Sequence, residues 1–334
     1  MPNPQAAIPT PPLILLAGPT AVGKSEIALS LAERLNGEIV SVDSMQVYRG
    51  LDVGTAKPTQ EERARVRHHL IDVVNLNQPF DAAQFVRLAE KAVEEIRSCG
   101  KIPVLCGGTG LYFKAFLDGL GEAPPTDAAL RVQLEATPLP ELLAELAAKD
   151  PITYETIDRQ NGRRVIRAVE VLRLTGKPYS AQRANWSRSA STDESGPGAI
   201  GATAERHLFF GMTRSPADLH RRINMRVEKM FERGLVAETE ELLKHGLAEN
   251  RIAMQALGYR QVVEHLRGIR PLSETIELVK IRTRQFAKRQ MTWFKKYGPA
   301  GWIVQTLHDT AESSAGEIIR RLRSKNSDCT NASP

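Results

Sequence analysis

The segment Gly18-Pro19-Thr20-Ala21-Val22-Gly23-Lys24-Ser25 constrains this chain more than any other. It fits the pattern G-x-x-x-x-G-K-[ST], follows the apolar run Leu13–Ala17, and opens a stretch of helical character that runs from about Lys24 to Leu35. A strand that curls through glycines into a helix start makes a P-loop. The loop N–H groups and the helix N-terminus converge on one anion, to which Lys24 adds a point charge. The Ser25 hydroxyl is the expected Mg²⁺ ligand. A chance glycine-rich turn is the alternative, and the agreement of motif with context argues against it.

The remaining pattern extends this unit into an α/β fold. The runs Glu38–Val42, Leu70–Val74, Ile102–Cys106, His207–Met212 and Trp302–Gln305 read as further buried strands, most of them separated by amphipathic stretches. That alternation predicts a P-loop NTPase-like parallel sheet flanked by helices. Asn36-Gly37 is the expected stop of the first helix. After Leu120 the alternation ceases. From Pro124 to about Arg183 the periodicity is helical, as in Arg163–Leu174, where Val165, Ile166, Val169 and Leu172 fall at helical spacing. The Ser/Gly/Ala-rich segment Trp186–Glu205 reads as a mobile loop. The expected organisation is a core over 12–122, an inserted helical domain over 123–205 that ends in this loop, a continued core with basic helices over 206–323, and a disordered tail over 324–334.

Composition bounds the setting. At 334 residues and 42% hydrophobic, the chain suits one large α/β domain with an insertion. Its net charge of +6 is compatible with a polyanionic partner without establishing one. Cys99, Cys106 and Cys329 lack metal-ligand spacing, and so sparse and odd a count points to a reducing compartment. Residues 1–12 lack the features of a signal peptide, and Leu13–Ala17 is far too short to cross a bilayer. A soluble cytoplasmic protein without a membrane partner is expected.

Four further segments bear on chemistry. Asp43 ends the run Glu38–Val42 and should emerge at the carboxyl edge of the sheet, beside the P-loop. It is either a proton acceptor or metal-holding carboxylate, or a turn-capping residue, with position alone favouring neither. Gly107-Gly108-Thr109-Gly110 follows another strand. It reads as a tight strand-to-helix turn or, beside a P-loop, as room for a ligand to approach, and the second reading is preferred. Arg222 and Arg226 lie one helical turn apart and would clamp a pyrophosphate, or else belong to a solvated basic face. Lys280–Lys296 carries seven Lys or Arg and no acid, with Phe286, Trp293 and Phe294 between them. It reads as aromatics packed inside with phosphate-attracting cations outside.

Taken together, these segments resemble the bacterial tRNA dimethylallyltransferase (tRNA isopentenyltransferase) family. The resemblance runs through the P-loop and Ser41-Val42-Asp43-Ser44-Met45-Gln46-Val47-Tyr48, then Asp52-Val53-Gly54-Thr55-Ala56-Lys57-Pro58 and Gly107-Gly108-Thr109-Gly110-Leu111-Tyr112. It continues in order through Arg167-Ala168-Val169-Glu170-Val171, Gly258-Tyr259-Arg260-Gln261 and Thr283-Arg284-Gln285-Phe286-Ala287-Lys288-Arg289-Gln290. It implies transfer of a dimethylallyl group from dimethylallyl diphosphate to N6 of adenine 37 of tRNAs reading U-starting codons, with Mg²⁺ as cofactor. The P-loop then holds the donor's diphosphate in place of a nucleotide, with Arg222 alongside. Asp43 becomes the general base, Thr20 meets the bridging oxygen, and Lys24 and Arg226 stabilise the leaving group. Contacts to the tRNA anticodon stem-loop are implied at Asp43, Ser44, Met45, Gln46, Thr109 and Arg131. They are also implied at Arg163, Arg164, Val165, Ile166 and Arg167, and at Gln255, Ala256, Leu257, Gly258, Tyr259 and Arg260. A monomer is expected. The competing readings are an ATP-binding small-molecule kinase with Asp43 as base, and an RNA-binding protein that has kept the fold without catalysis.

Overall fold

Five consecutive buried residues, Leu13–Ala17, form the strand β1 at the heart of a six-stranded sheet. The structure is a computed structural model that describes residues 11–182, 207–298, 303–307 and 310–330. The other strands are β2 (Gly37–Val42), β3 (His68–His69), β4 (Ile102–Gly107), β5 (His207–Thr213) and β6 (Ile303–Thr306). They pair in the order β3-β2-β4-β1-β5-β6, all parallel. Buried parallel strands need no alternation of polar and apolar residues, which is why β1 and β4 read as short apolar runs.

The helices are α1 (Lys24–Arg34), α2 (Gln60–Arg65), α3 (Ala82–Ser98), α4 (Gly110–Asp118), α5 (Ala128–Ala136), α6 (Leu139–Lys149) and α7 (Pro151–Thr156). They continue with α8 (Gly162–Thr175), α9 (Tyr179–Gln182), α10 (Pro216–Glu232), α11 (Leu235–Lys244), α12 (Tyr259–Leu266), α13 (Leu272–Tyr297) and α14 (Ala311–Thr330). Helix α1 stops where Asn36 takes a left-handed φ of 53°, and Gly37 starts β2 because a Cβ there would lie 2.6 Å from the Ile102 carbonyl oxygen.

The chain divides into two compact units, Met1–Phe116 with Gly201–Pro334, and Leu117–Ile200. In the first, Ile14, Leu16, Ile27, Leu31, Phe210 and Ile223 pack with Ile318 of α14 in one core. Each such side chain contributes roughly 1.5–3 kcal/mol by its burial. In the second, Leu134, Leu142, Leu146, Val165, Ala168 and Val169 form a separate core, and the described residues contain helices and no strand.

Two expectations need correction. The strand expected over Leu70–Val74 is displaced: pairing with β2 is confined to His68–His69. Leu70 and Asp72 then take left-handed φ values of 61° and 57°, which break a ladder. Asp72 is drawn instead into ion pairs with Lys57 and Arg63. The tail expected to be disordered from Ser324 continues α14 to Thr330. The Trp186–Glu205 segment and Trp302 lie outside the described residues. Among the described residues no helix is long and apolar enough to cross a membrane.

Candidate active site

The strand register builds the site. Gly107 at the end of β4 lies opposite both Ala17 of β1 and Val42 of β2, so Gly18, Asp43 and Gly108 leave the sheet side by side. They open a cavity of about 410 Å³ at the carboxyl edge. Thr20, Lys24, Ser25, Asp43 and Arg226 line its polar part, and Val227, Met230, Val279 and Phe286 supply apolar wall.

In the Gly18–Ser25 turn, Gly18 (φ 158°) passes so close to β5 that a Cβ would lie 2.7 Å from the Met212 carbonyl oxygen. Ala21 and Gly23 take left-handed φ values of 62° and 105°, which curl the chain into α1. Neighbouring cations take the carbonyls of this turn. Lys24 Nζ donates to Pro19 O at 2.7 Å, Arg222 Nε to Ala21 O at 3.1 Å and Arg214 Nε to Val22 O at 2.8 Å. The amides are thereby turned the other way, where an anion would meet them. Burial pulls the Lys24 ammonium down to about 8, against the raising influence of Cys106 and then Asp43, and also lowers the Arg226 guanidinium. Two partly buried cations so placed would gain from a bound anion.

Asp43 caps its turn, one of the readings the sequence left open. Its Oδ1 accepts from the Met45 and Gln46 amides at 2.8 and 3.3 Å, capping the turn after β2. Oδ2 has no hydrogen bond among the described residues and remains available to take a proton. Ser44, Met45 and Gln46 line the same cavity. The Ser44 amide donates to Thr109 Oγ1 at 3.2 Å, which joins the Asp43 turn to the second glycine loop.

Gly107, Gly108 and Thr109 line the cavity, as the preferred reading expects, but the glycines are required by protein neighbours. A Cβ at Gly107 would lie 2.0 Å from Val42 O, at Gly108 2.3 Å from Gln290 Nε2, and at Gly110 2.1 Å from the Trp293 ring. Arg222 needs correction. Arg226 lines the cavity described above, whereas Arg222 lines a neighbouring one with Arg214, Asp218 and Arg221. Their helical spacing is as expected, but the Ala21 carbonyl holds Arg222 on the outside of the turn.

The expected RNA-contacting residues separate by burial. Gln255, Ala256 and Leu257 line the cavity. Gly258, at φ 98°, turns the chain into α12. Tyr259 is fully buried, its hydroxyl on Glu238 and Gly54, and so presents no side chain to RNA. Arg260 is exposed and paired with Glu264. In the second unit, Arg163 and Arg164 are exposed on α8, and Ile166 is half-buried. Val165 lies in the core with no exposure, so its side chain is not an RNA contact. Arg131 and Arg167 both bind the buried Glu170 carboxylate, at 3.1 and 2.7 Å.

Sequence reasoning passed over Gln290, Arg214, Lys57 and Glu238. Gln290 Oε1 accepts from the Thr20 amide and its Nε2 donates to Gly108 O, both at 2.9 Å, tying the two glycine loops together. Lys57, with its side chain only 2% exposed, donates to Tyr48 O and pairs with Asp52 and Asp72. The motif segments that contain Gln290 and Lys57 were the available signal; nothing marked Arg214 or Glu238.

A parallel α/β sheet whose strand ends gather two cations, a carboxylate and an apolar wall in one cavity has the makings of a group-transfer enzyme. The sequence profile of the IPP transferase family matches residues 46–297, and the chain belongs to this family of tRNA dimethylallyltransferases, which are prenyltransferases. The tRNA dimethylallyltransferase 2 of Geotalea uraniireducens is 43% identical over 295 residues, covering 87% of this chain and 91% of the relative. The tRNA dimethylallyltransferase of Pelotomaculum thermopropionicum is 41% identical over 313 residues, covering 92% and 96%. Among solved structures, the full-length tRNA isopentenylpyrophosphate transferase of Bacillus halodurans superposes with a TM-score of 0.64 at 37% identity, covering 95% of this chain and 98% of that one. A eukaryotic dimethylallyltransferase acting on tRNA gives 0.79 at 26% identity, covering 96% and 80%.

Proposed function

We propose that the protein transfers the dimethylallyl group of dimethylallyl diphosphate to N6 of adenine 37 in tRNAs reading U-starting codons, with release of diphosphate. The observation that carries this reading is the shared cavity, with Lys24 and Arg226 at its polar end, apolar side chains on its wall and the open Asp43 Oδ2 on its rim.

An adenine N6 amine is a weak nucleophile because its lone pair is spread into the ring, so the rate depends on the leaving group. The bond from the allylic carbon to the bridging oxygen breaks, and its electron pair leaves with the diphosphate. Lys24, Arg226, Thr20 and the loop amides stabilise the charge that appears there. The N6 lone pair forms the new C–N bond, and one N6 proton passes to Asp43 Oδ2. Val227, Met230, Val279 and Phe286 hold the prenyl tail and keep water from the allylic carbon. The base reaches the cavity by leaving its stack in the anticodon loop, and the exposed Arg163 and Arg164 supply phosphate contacts to the stem-loop. The chain acts as a monomer.

The donor set suits Mg²⁺. A hydroxyl-bearing residue, Ser25, lines the cavity beside Lys24 in the first turn of α1. An ion held chiefly by phosphate oxygens and water fits such a site. Ser25 would hold it, and it would neutralise leaving-group charge.

Incubation with labelled dimethylallyl diphosphate and unmodified tRNA, followed by mass analysis of the nucleosides, tests the reading. N6-dimethylallyladenosine at position 37, absent when that base is guanine, is the expected outcome. ATP consumption without RNA labelling overturns it in favour of a kinase.

A further inference from the structure

We infer that Glu238 is a positioning residue for Asp43: it clamps the 53–56 loop from outside the catalytic cavity, and that loop fixes Gln46, which fixes the Asp43 carboxylate. Glu238, on α11, does not line the catalytic cavity. It faces a separate groove of about 650 Å³ with Arg49, Asp52 and His245. Both of its oxygens are engaged. Oε2 accepts from the Val53 amide at 2.8 Å, and Oε1 accepts from the Val53 and Gly54 amides at 3.0 and 3.3 Å and from the Tyr259 hydroxyl at 2.6 Å. The Tyr259 hydroxyl in turn accepts from the Gly54 amide at 3.1 Å. The Tyr259 ring lies so close that a Cβ on Gly54 would come within 2.5 Å of it. Hydrogen bonds to a carboxylate are about twice as strong as neutral ones, so this clamp holds the loop in one conformation.

The constraint crosses the loop to the cavity. Gln46 Nε2 donates to Thr55 O and Ala56 O at 3.2 and 3.3 Å, and Ser41 Oγ donates to Gln46 Oε1 at 2.8 Å, which sets the orientation of the amide. The Gln46 and Met45 amides then hold Asp43 Oδ1. Every link from Glu238 to Asp43 is a hydrogen bond or a stretch of at most three residues. A displacement of about 1 Å at a reacting group can cost 10²-fold in rate. Lys24, Thr20 and Arg226 stand outside this relay.

The inference rests on the reading of Asp43 as proton acceptor, and its test separates the two. In Glu238→Gln an NH₂ replaces one acceptor and faces either the Val53 amide or the Tyr259 hydroxyl. The expected result, per folded molecule, is a kcat lowered about tenfold with KM for dimethylallyl diphosphate within about twofold of wild type. A purely structural role would lower the folded fraction and leave kcat per folded molecule unchanged, which overturns the inference. In the double variant with Gln46→Ala, the combined loss should match the larger single loss; additive losses overturn the relay. Tyr259→Phe removes one hydroxyl and keeps the ring, and carries the same kinetic test if Glu238→Gln folds poorly. The side-chain NH₂ resonance of Gln46 should shift and exchange faster in Glu238→Gln, whatever the substrate; an unchanged resonance overturns the clamp. If the wild-type enzyme places no prenyl group on tRNA, the functional reading falls and that resonance alone decides the clamp.

Discussion

The 52–58 loop answers its polar groups from inside the protein. Lys57 is tied to Tyr48 O, Asp52 and Asp72, Thr55 Oγ1 donates to Leu51 O, and the Val53 and Gly54 amides rest on Glu238. The Gly18–Ser25 turn faces the same cavity and does the reverse. Cations occupy its carbonyls, and the Lys24 and Ser25 amides are the orphan donors that any helix start retains. The contrast separates wall from proposed binder: one loop is saturated and fixed in shape, the other keeps amides at the start of α1 that the proposed function assigns to the diphosphate. The wall therefore owes stability to its polar residues, whereas the binder gives some up.

The largest effect should come from the cavity rim. Asp43→Ala should lower kcat on the order of 10³-fold while leaving tRNA affinity within a fewfold, measured by single-turnover transfer and by binding. Wild-type turnover in this variant would remove the proton-transfer role. Next, Lys24→Met should lower kcat/KM on the order of 10²-fold and yet raise Tm, because it removes a cation that burial penalises. A fall in Tm would place Lys24 with the saturated loop and break the contrast. The counterpart, Lys57→Met, should destabilise by about 2–3 kcal/mol in urea melts. That is below the 3–5 typical of a broken buried pair, because Asp52 and Asp72 are partly exposed.

The smallest effect is a pH dependence. A lysine whose folded value lies below its ordinary value loses its charge early as pH rises, here through about 8. A diphosphate binds the charged form, so donor affinity should weaken about tenfold between pH 7 and 9 and draw up protons on binding above pH 8. The stability sign is opposite. The burial penalty on charged Lys24 is present at low pH and is relieved as pH rises from about 8 toward 10.5, so the free enzyme gains stability there. Lys24→Arg should flatten the affinity profile, which calorimetry across pH can check.

Much of this frame is legible in the sequence because it is local. β1, α1 and the edge position of Asp43 follow from an apolar run, a glycine turn and a helix period within about thirty residues. What escapes is set by distant partners. Gly110 is glycine because Trp293 lies against it, and nothing near Gly110 announces a tryptophan on α13. Helical spacing put Arg222 and Arg226 on one face, but the Ala21 carbonyl and the Glu26 carboxylate hold Arg222 outside. Val165 shows the same limit from the other side. It stands among exposed arginines in the sequence, yet its packing against Leu134 and Leu146 removes it from any surface. The strand at β3 was misplaced because left-handed backbone at Leu70 and Asp72, neither of them glycine, has no compositional mark.

The Gln290 bridge bears on the order in which the chain becomes an enzyme. The residue that closes onto the Thr20 amide lies 270 positions later, on α13. While the ribosome is still building the chain, the first glycine turn and the Gly108 carbonyl have no such tie. The tie between the two glycine turns forms only when α13 has emerged and docked, so a truncated or half-made chain lacks it.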